Sequence, residues 1–206
     1  MEDNKKLKYV YYTAGAIEKA TDNQMITWRN ELKAKLKFDG IMQYDPVERE
    51  SQKTGKPSGE MIKYISGLKQ AGRYDLFIKE MAKIWYGNIK PEGDILDTFK
   101  FIRSRKLIDG NEERDLNFFA DFEAVIRSDF IIALMLKNVQ TIGTIGEILV
   151  AYLFRIPVYL ILPDQSKTEC NSTLLYWVLE SGGEVFYSTK ECADYIINKY
   201  KLEGIK

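Results

Sequence analysis

Short apolar runs alternate with longer segments of helical period along much of this chain. The runs Phe130–Leu136 and Pro157–Leu162 contain no charged residue, as is typical of parallel strands that helices cover on both faces. Strand and helix follow one another repeatedly, which predicts an α/β fold with a doubly wound, mostly parallel, flavodoxin- or Rossmann-like sheet. The predicted strands are Lys8–Thr13, Ile41–Tyr44, Phe130–Leu136, Pro157–Leu162 and Glu184–Tyr187.

Helices are indicated where apolar side chains return every three or four residues. The first helix, Met25–Phe38, has one apolar face, and Asp22 or Asn23 is in a position to cap it. That face consists of Met25, Trp28, Leu32 and Leu36. Further helices around the sheet are predicted at Asp115–Ser128, Gly143–Phe154, Asn171–Leu179 and Lys190–Tyr200.

The middle of the chain, about residues 45–114, is polar and charged, and its apolar spacing is helical. We interpret it as a large helical insertion in a single domain that spans residues 1–206. Its aromatic side chains are expected to form a small core of their own. The helices predicted there are Gly59–Gln70, Tyr74–Tyr86 and Asp94–Lys106, and the aromatic residues are Tyr64, Phe77, Trp85, Tyr86 and Phe99.

The composition narrows the possible chemistry. The 206 residues include no histidine, which excludes Ser-His-Asp and Cys-His nucleophilic systems and histidine-ligated metal sites. Any acid–base catalysis must therefore come from carboxylates, Tyr, Lys or Cys. Lys plus Arg and Asp plus Glu each number 30, and this balance argues against a nucleic-acid polymer held by a general basic field.

Cysteine usage and the apolar runs indicate the cellular setting. Cys170 and Cys192 lack metal-site spacing and are expected to be free thiols in a reducing compartment. The longest apolar run, Phe130–Leu136, is far shorter than a membrane helix, and no targeting segment is visible. We therefore expect a soluble, cytoplasmic protein without a membrane partner.

Ligands of open α/β sheets bind beyond the carboxyl ends of the strands, where the strand order reverses. This rule selects three segments, Thr13–Ile17, Lys137–Glu147 and Pro163–Asn171. The first lacks the glycine motifs of dinucleotide sites and P-loops. The second carries two glycines and two threonines before a helix start, which favours anionic or hydroxyl-rich ligands.

Two carboxylates are candidates for chemistry at this edge. Glu147 is expected in the first turn of its helix, either as a charge partner of the helix N-terminus or as a nucleophile. Asp121 lies about two helical turns before Asp129 and can reach the same crevice. In the absence of histidine, such a pair suits chemistry at an anomeric carbon, where one carboxylate attacks and the other handles the leaving group's proton.

Three stretches share order, spacing and strand context with one known family. They are Val10–Ile17 (VYYTAGAI), Asp121–Asp129 followed by FIIAL, and Gly143–Glu147 (GTIGE) followed by a helix and Ile156-Pro157-Val158. Together they resemble the nucleoside 2-deoxyribosyltransferase family, including its nucleotide N-hydrolase branch. The similarity covers about residues 8–45 and 115–200. It implies cleavage of an N-glycosidic bond by a homodimer or higher homo-oligomer, without a metal or organic cofactor.

The resemblance also implies roles for individual residues. Glu147 corresponds to the nucleophile that forms a glycosyl-enzyme ester, Asp121 to the residue that assists departure of the base, and Tyr12 to the strand tyrosine that orients the nucleophile. Tyr11 should face the other side of the sheet. Substrate-binding positions fall at Gly15, Ala16, Thr141, Gly143 and Thr144, and at Asn171 and Ser172 in a segment that completes a neighbouring subunit's site.

Thr141 bears on the substrate class. Transferases that act on free nucleosides carry an Asp at this position, which holds the 5′-hydroxyl, whereas the nucleotide N-hydrolases carry a hydroxyl residue that contacts the 5′-phosphate. A threonine can donate to phosphate, which an aspartate would repel. The first turn, with Ala16, Glu18 and Lys19, differs from the Ser- and Arg-containing turn of the mammalian-type hydrolases. Both substrate classes therefore stay open, with a slight preference for nucleotides.

The leading hypothesis is an enzyme that cleaves the N-glycosidic bond of a (deoxy)nucleoside or its 5′-monophosphate, with water or a second base resolving the ester on Glu147. Two alternatives belong to other classes: a nucleotide-binding regulator without turnover, and an oligomeric interaction module that uses the insertion as its surface. The retention of Glu147, Asp121 and Tyr12 argues against the regulator, because a sensor has no need of a nucleophile.

Overall fold

The computed structural model describes residues 8–18, 20–38, 40–49, 58–86, 97, 100, 120–139 and 141–202. The strands are β1 (Tyr9–Gly15), β2 (Ile41–Tyr44), β3 (Phe130–Leu134), β4 (Val158–Ile161) and β5 (Glu184–Phe186). The helices are α1 (Asp22–Lys35), α2 (Ser58–Gln70), α3 (Tyr74–Tyr86), α4 (Asp121–Arg127), α5 (Ile142–Leu153), α6 (Ser172–Glu180) and α7 (Thr189–Tyr200).

All five strands are parallel and lie in the order β2-β1-β3-β4-β5. This order confirms the predicted doubly wound α/β fold. The central strands β3 and β4 are buried along their whole length, because helices lie on both faces of the sheet. On one face, α1 and α7 pack in a core that includes Tyr11, Phe130 and Tyr159.

Helix α1 shows how local chemistry sets an element boundary. Its N-cap is Thr21 rather than the predicted Asp22 or Asn23. The Thr21 hydroxyl accepts from the Gln24 backbone N–H, and the Gln24 side chain accepts from the Thr21 N–H. This reciprocal capping box satisfies two backbone donors at the helix start. The predicted apolar face of the helix is confirmed, because Met25, Trp28, Leu32 and Leu36 are all buried.

The chain divides into two compact units, which are residues 1–45 with 128–206, and residues 46–127. The first unit contains the whole sheet. In the second unit, Trp85 of α3 packs on Phe122 of α4, with ring centroids 4.5 Å apart. Tyr64 is exposed, so its predicted place in a small aromatic core is wrong.

Part of the predicted middle segment lies outside the described residues. Of the predicted helix Asp94–Lys106, the structure describes residues 97 and 100, and both are helical. Phe99 and the start of the predicted helix Asp115–Ser128 lie outside the described residues. None of the helices in the described part of the chain has the length and apolar character needed to cross a membrane.

Candidate functional site

The strand order places the candidate site at the carboxyl ends of β1 and β3. These two strands pair in parallel, with Gly15 opposite Leu134 at their ends. The chain leaves β1 toward β2 on one side and continues from β3 toward β4 on the other, so the winding reverses here. Crevices at such reversals are the usual ligand sites of doubly wound folds.

Tyr12 and Glu147 meet at this reversal. The Tyr12 hydroxyl of β1 donates to Glu147 Oε1 of α5 over 2.5 Å, a length typical of a strong hydrogen bond to a carboxylate. Tyr12 is fully buried and Glu147 is 6% exposed. Tyr44 stacks on the Tyr12 ring, with centroids 5.8 Å apart, and so restrains its orientation. The structure thus brings together two residues that are far apart in the sequence.

Tyr11 lies on the opposite face of the sheet, as strand alternation requires. Its hydroxyl donates to Gln43 over 2.9 Å, and its ring stacks on Phe130. Only one of the two adjacent tyrosines therefore reaches Glu147.

Glu147 lies deeper in its helix than the sequence predicted. The helix α5 begins at Ile142 with Thr141 as N-cap, and its first turn contains no acidic residue. Glu147 is in the second turn, beyond the free backbone N–H groups of the helix start. The interpretation of Glu147 as a first-turn charge partner is therefore wrong, since that interaction fades beyond the first turn.

The surroundings of Glu147 bring the pKa of its carboxyl group close to neutral pH. Burial raises the pKa of Glu147 to about 7, against the opposing effects of the Tyr12 hydrogen bond and the positive charge of Arg29. A carboxylate with a strongly perturbed pKa at a ligand crevice is characteristic of functional sites. In a chain without histidine, this group can exchange a proton near neutral pH.

The start of α5 supplies three of the predicted substrate-binding residues. Thr141 and Thr144 are buried, whereas Gly143 is half-buried. Thr141 caps the helix by position, but its side chain makes no capping hydrogen bond. The hydroxyl of Thr141 is thus not committed to the free backbone N–H groups of this helix.

Gly15 has a packing reason to be glycine. A Cβ at this position would lie 2.7 Å from Cζ2 of Trp28 and 3.3 Å from an Arg29 nitrogen, closer than side chains tolerate. The Gly15 carbonyl accepts from Arg29 Nη2 over 3.3 Å. Ala16, which follows β1, is half-buried. Gly15 is therefore needed for the contact between β1 and α1, whatever ligand approaches it.

Asn171 and Ser172 open helix α6 and are exposed. The Asn171 side chain caps the helix by accepting from the backbone N–H of Thr173 and Leu174. It also lines a cavity of about 470 Å³ between the segments that follow β3 and β4. The lining residues are Met135, Leu136, Lys137, Val139, Ile145, Gln165, Cys170, Asn171, Thr173, Leu174 and Trp177. Neither Tyr12 nor Glu147 is among the described residues that line this cavity.

Asp121 is the first residue of α4, in the unit formed by residues 46–127. Its proximity to Glu147, which belongs to the other unit, stays a prediction. The two cysteines are buried free thiols, as expected. Within the described ranges, no three His, Cys, Asp or Glu side chains are grouped so as to hold a metal ion.

The sequence interpretation missed a buried charge, Arg29. This residue is fully buried, and its Nε lies 3.3 Å from Asp45 Oδ1. Arg29 follows Met25 by one helical turn, on the face predicted to be apolar. An arginine at a core position requires a partner, so this misplaced charge was the signal that could have revealed the pair.

Comparison of the sequence with known protein families and with curated proteins gave no match.

Proposed function

We propose that this protein cleaves the N-glycosidic bond of a nucleoside or nucleoside 5′-monophosphate through a glycosyl ester on Glu147. The observation that carries the proposal is the buried Tyr12–Glu147 hydrogen bond at the reversal of strand order. It agrees with the roles that the resemblance to nucleoside 2-deoxyribosyltransferases implies for both residues.

The proposed reaction has two steps. The Glu147 carboxylate attacks C1′ of the sugar, and the bond between C1′ and the base nitrogen breaks with its electron pair leaving on the base. Asp121 supplies the proton that the departing base requires. Water or a second base then attacks C1′ and gives up a proton to Asp121, while the C1′–oxygen bond of the ester breaks. This step restores the Glu147 carboxylate and releases the free sugar or a new nucleoside.

Tyr12 has two tasks in this scheme. Its hydroxyl holds one carboxylate oxygen in a fixed direction, which leaves the other for attack, and its hydrogen bond favours the ionised form of Glu147. Orientation of a nucleophile in advance lowers the entropic part of the barrier. No metal or organic cofactor is required for either step.

Thr141 supports the 5′-monophosphate as the preferred substrate. Its side chain does not cap α5, so the hydroxyl can serve as a donor to a phosphate oxygen. The backbone N–H groups of the helix start at Gly143 and Thr144 favour an anion at the same place.

A homo-oligomer is part of the proposal. Helices α5 and α6 contact each other, and apart from Glu147 and the terminal Glu180 neither contains a charged residue. Large apolar side chains are nevertheless exposed on both, which is typical of an interface. We call this set the α5–α6 apolar face, and its exposed residues are Ile142, Ile145, Leu153, Tyr176 and Leu179.

A second candidate function is a ligand-binding regulator without turnover. The 470 Å³ cavity beside Asn171 favours it, because its lining of apolar side chains and a few polar groups resembles small-molecule sites and does not include Tyr12 or Glu147.

Product analysis separates the two functions. The protein is incubated with a panel of nucleosides and their 5′-monophosphates, with and without an acceptor base, and free or exchanged base is measured by chromatography. Glu147→Ala and the exposed-site control Glu180→Gln are treated alike. The proposal expects base release by wild type and Glu180→Gln and its loss in Glu147→Ala. Binding without base release would favour the regulator.

A further inference from the structure

Arg29 is a cation with no exposed surface, held by several partners on the edge of the candidate site. Besides the ion pair with Asp45, one of its terminal nitrogens donates to the Met25 carbonyl and the other to the Gly15 carbonyl. The guanidinium also lies 4.6 Å from the centre of the Trp28 ring. These contacts fix the position of the charge, and a buried charge that is fixed acts on its neighbours more strongly than a solvated one.

Both members of this ion pair are linked to the carboxyl end of a strand, Arg29 to that of β1, which contains Tyr12, and Asp45 to that of the neighbouring β2. Gly15, whose carbonyl binds Arg29, follows Tyr12 by three residues on β1. Asp45 directly follows Tyr44 of β2, and Tyr44 pairs with Tyr12 in the sheet and stacks on its ring. The ion pair therefore joins the carboxyl ends of β1 and β2 at the edge where Glu147 accepts from Tyr12.

The charged and titratable groups that act on Glu147 have opposing effects. Burial raises the pKa of Glu147, whereas the Tyr12 hydroxyl and the Arg29 charge lower it. Asp45 neutralises part of the Arg29 charge. Arg29 and Asp45 should consequently act on Glu147 in opposite directions.

We propose that the Arg29–Asp45 pair is a positioning element that sets the ionisation of Glu147, with Arg29 favouring the carboxylate and Asp45 limiting that effect. This inference rests on the proposed function for the use that it gives to the ionised carboxylate. A purely structural ion pair would also explain the burial of Arg29, but it would not give opposite changes at Glu147 when one or the other partner is neutralised.

Titration of Glu147 tests the proposal without any substrate. The carboxyl carbons of glutamate are labelled with ¹³C, and the Glu147 signal is assigned by its loss in Glu147→Gln. Its titration is followed in wild type, Arg29→Met, Arg29→Lys and Asp45→Asn, with Lys190→Met as control. Lys190 belongs to an exposed ion pair with Asp194 on α7. Circular dichroism and amide spectra establish that each variant is folded.

The expected shifts have defined signs. Arg29→Met should raise the pKa of Glu147 by about one unit or more, as loss of a nearby opposite charge does. Arg29→Lys should restore most of the wild-type value. Asp45→Asn should lower the pKa, and Lys190→Met should leave it unchanged.

Two results would overturn the proposal: an unchanged Glu147 titration in folded Arg29→Met, or shifts of the same sign in Arg29→Met and Asp45→Asn. If Arg29→Met does not fold, Asp45→Asn decides alone, and a pKa that stays or rises refutes the idea. Failure of the proposed function is distinguishable, because a protein that releases no base can still show the predicted shifts. Conversely, an enzyme that releases base can lack the predicted pKa shifts, and that result would refute only the role of the Arg29–Asp45 pair.

Discussion

The surroundings of the Glu147 side chain favour the neutral carboxylic acid over the ionised carboxylate. The pKa of Glu147 is raised to about 7 in the fold, above the value of about 4.3 expected in the unfolded chain. A raised carboxyl pKa means that the folded state binds the proton more tightly. Its contribution to stability is complete below about pH 4.3 and is lost as the pH rises through about 7. Ionised Glu147 therefore opposes folding at the pH at which it would act as a nucleophile.

Glu147→Gln should stabilise the protein at alkaline pH and have little effect at acidic pH. Glutamine resembles the protonated carboxyl group and can accept from Tyr12. Each pKa unit corresponds to about 1.4 kcal/mol, so the gain in unfolding free energy at about pH 8.5 should be roughly 4 kcal/mol. Urea unfolding at about pH 4 and pH 8.5 measures it, with Glu180→Gln as control. Equal effects of Glu147→Gln at both pH values would refute the raised pKa.

The acid limb of kcat/KM should lie near pH 7 and should belong to Glu147. Tyr12→Phe removes a hydrogen bond that lowers the pKa of Glu147, so the limb should move to higher pH by about one unit. The value of kcat should fall as well, because the carboxylate loses its orientation.

Tyr11→Phe is the matched control for this prediction. Tyr11 is the neighbouring tyrosine on the same strand, but its hydroxyl binds Gln43 on the other face. The pH profile of Tyr11→Phe should superimpose on that of wild type. An acid limb that does not move in Tyr12→Phe would show that the Tyr12 hydroxyl does not set the ionisation of Glu147.

At the level of elements, periodicity identified the strands and most helices, because each of these depends on a repeated apolar face. Boundaries were less accurate where one side chain decides them. The hydroxyl of Thr21, through its exchange with Gln24, starts α1 one residue before the predicted caps. Helix α5 begins at Ile142, one residue before its predicted start, and Glu147 is its sixth residue, outside the first turn.

The candidate site was predictable only in part. The strand rule and the resemblance led to Tyr12 and Glu147, which the fold brings into contact. They did not select Arg29. Its place on the apolar face of α1 indicates a buried charge, but a pattern of single positions does not show which distant carboxylate neutralises it. The pKa of Glu147 was equally out of reach, since burial depends on the packing of several elements.

The α5–α6 apolar face leads to a prediction about assembly. The wild-type protein should be at least a dimer, and the double variant Leu153→Glu/Leu179→Glu should dissociate it, since charges are unfavourable in the centre of an interface. Both side chains are about half exposed, so the monomer should tolerate the change. Sedimentation velocity measures the result. Ile78→Glu, at an exposed position of α3, is the control, and a monomeric wild type would contradict the prediction.

At the scale of the molecule, the doubly wound sheet determines which residues can form a site. It brings three parts of the chain to one edge: the end of β1, the segment that begins after β3, and the start of α5. Residues 46–127 form a separate compact unit, and Asp121 belongs to it. The role of Asp121 in the proposed reaction stays a prediction.

Thr141 provides a test of substrate class. A nucleoside 5′-monophosphate should have a higher kcat/KM than its parent nucleoside. Two hydrogen bonds to the phosphate, each worth about 1.5–3 kcal/mol, would give a preference above a hundredfold. Thr141→Asp should reverse the preference, because its carboxylate repels phosphate and can accept from a free 5′-hydroxyl. Steady-state kinetics on one matched pair decide the matter, and equal turnover of both by wild type would favour a free-nucleoside transferase.

The central claim is that Glu147 becomes covalently bound to the sugar, and rapid acid quenching followed by mass spectrometry tests it most directly. A substrate identified by base release is mixed with enzyme, quenched during turnover and digested. The expected result is a mass increase of one glycosyl group on the peptide that contains Glu147, and this increase should be absent in Glu147→Gln. Glu147→Ala should keep less than about a tenth of the wild-type rate. Base release by Glu147→Ala at more than about a tenth of the wild-type rate, with no adduct on the wild-type peptide, would contradict the central claim.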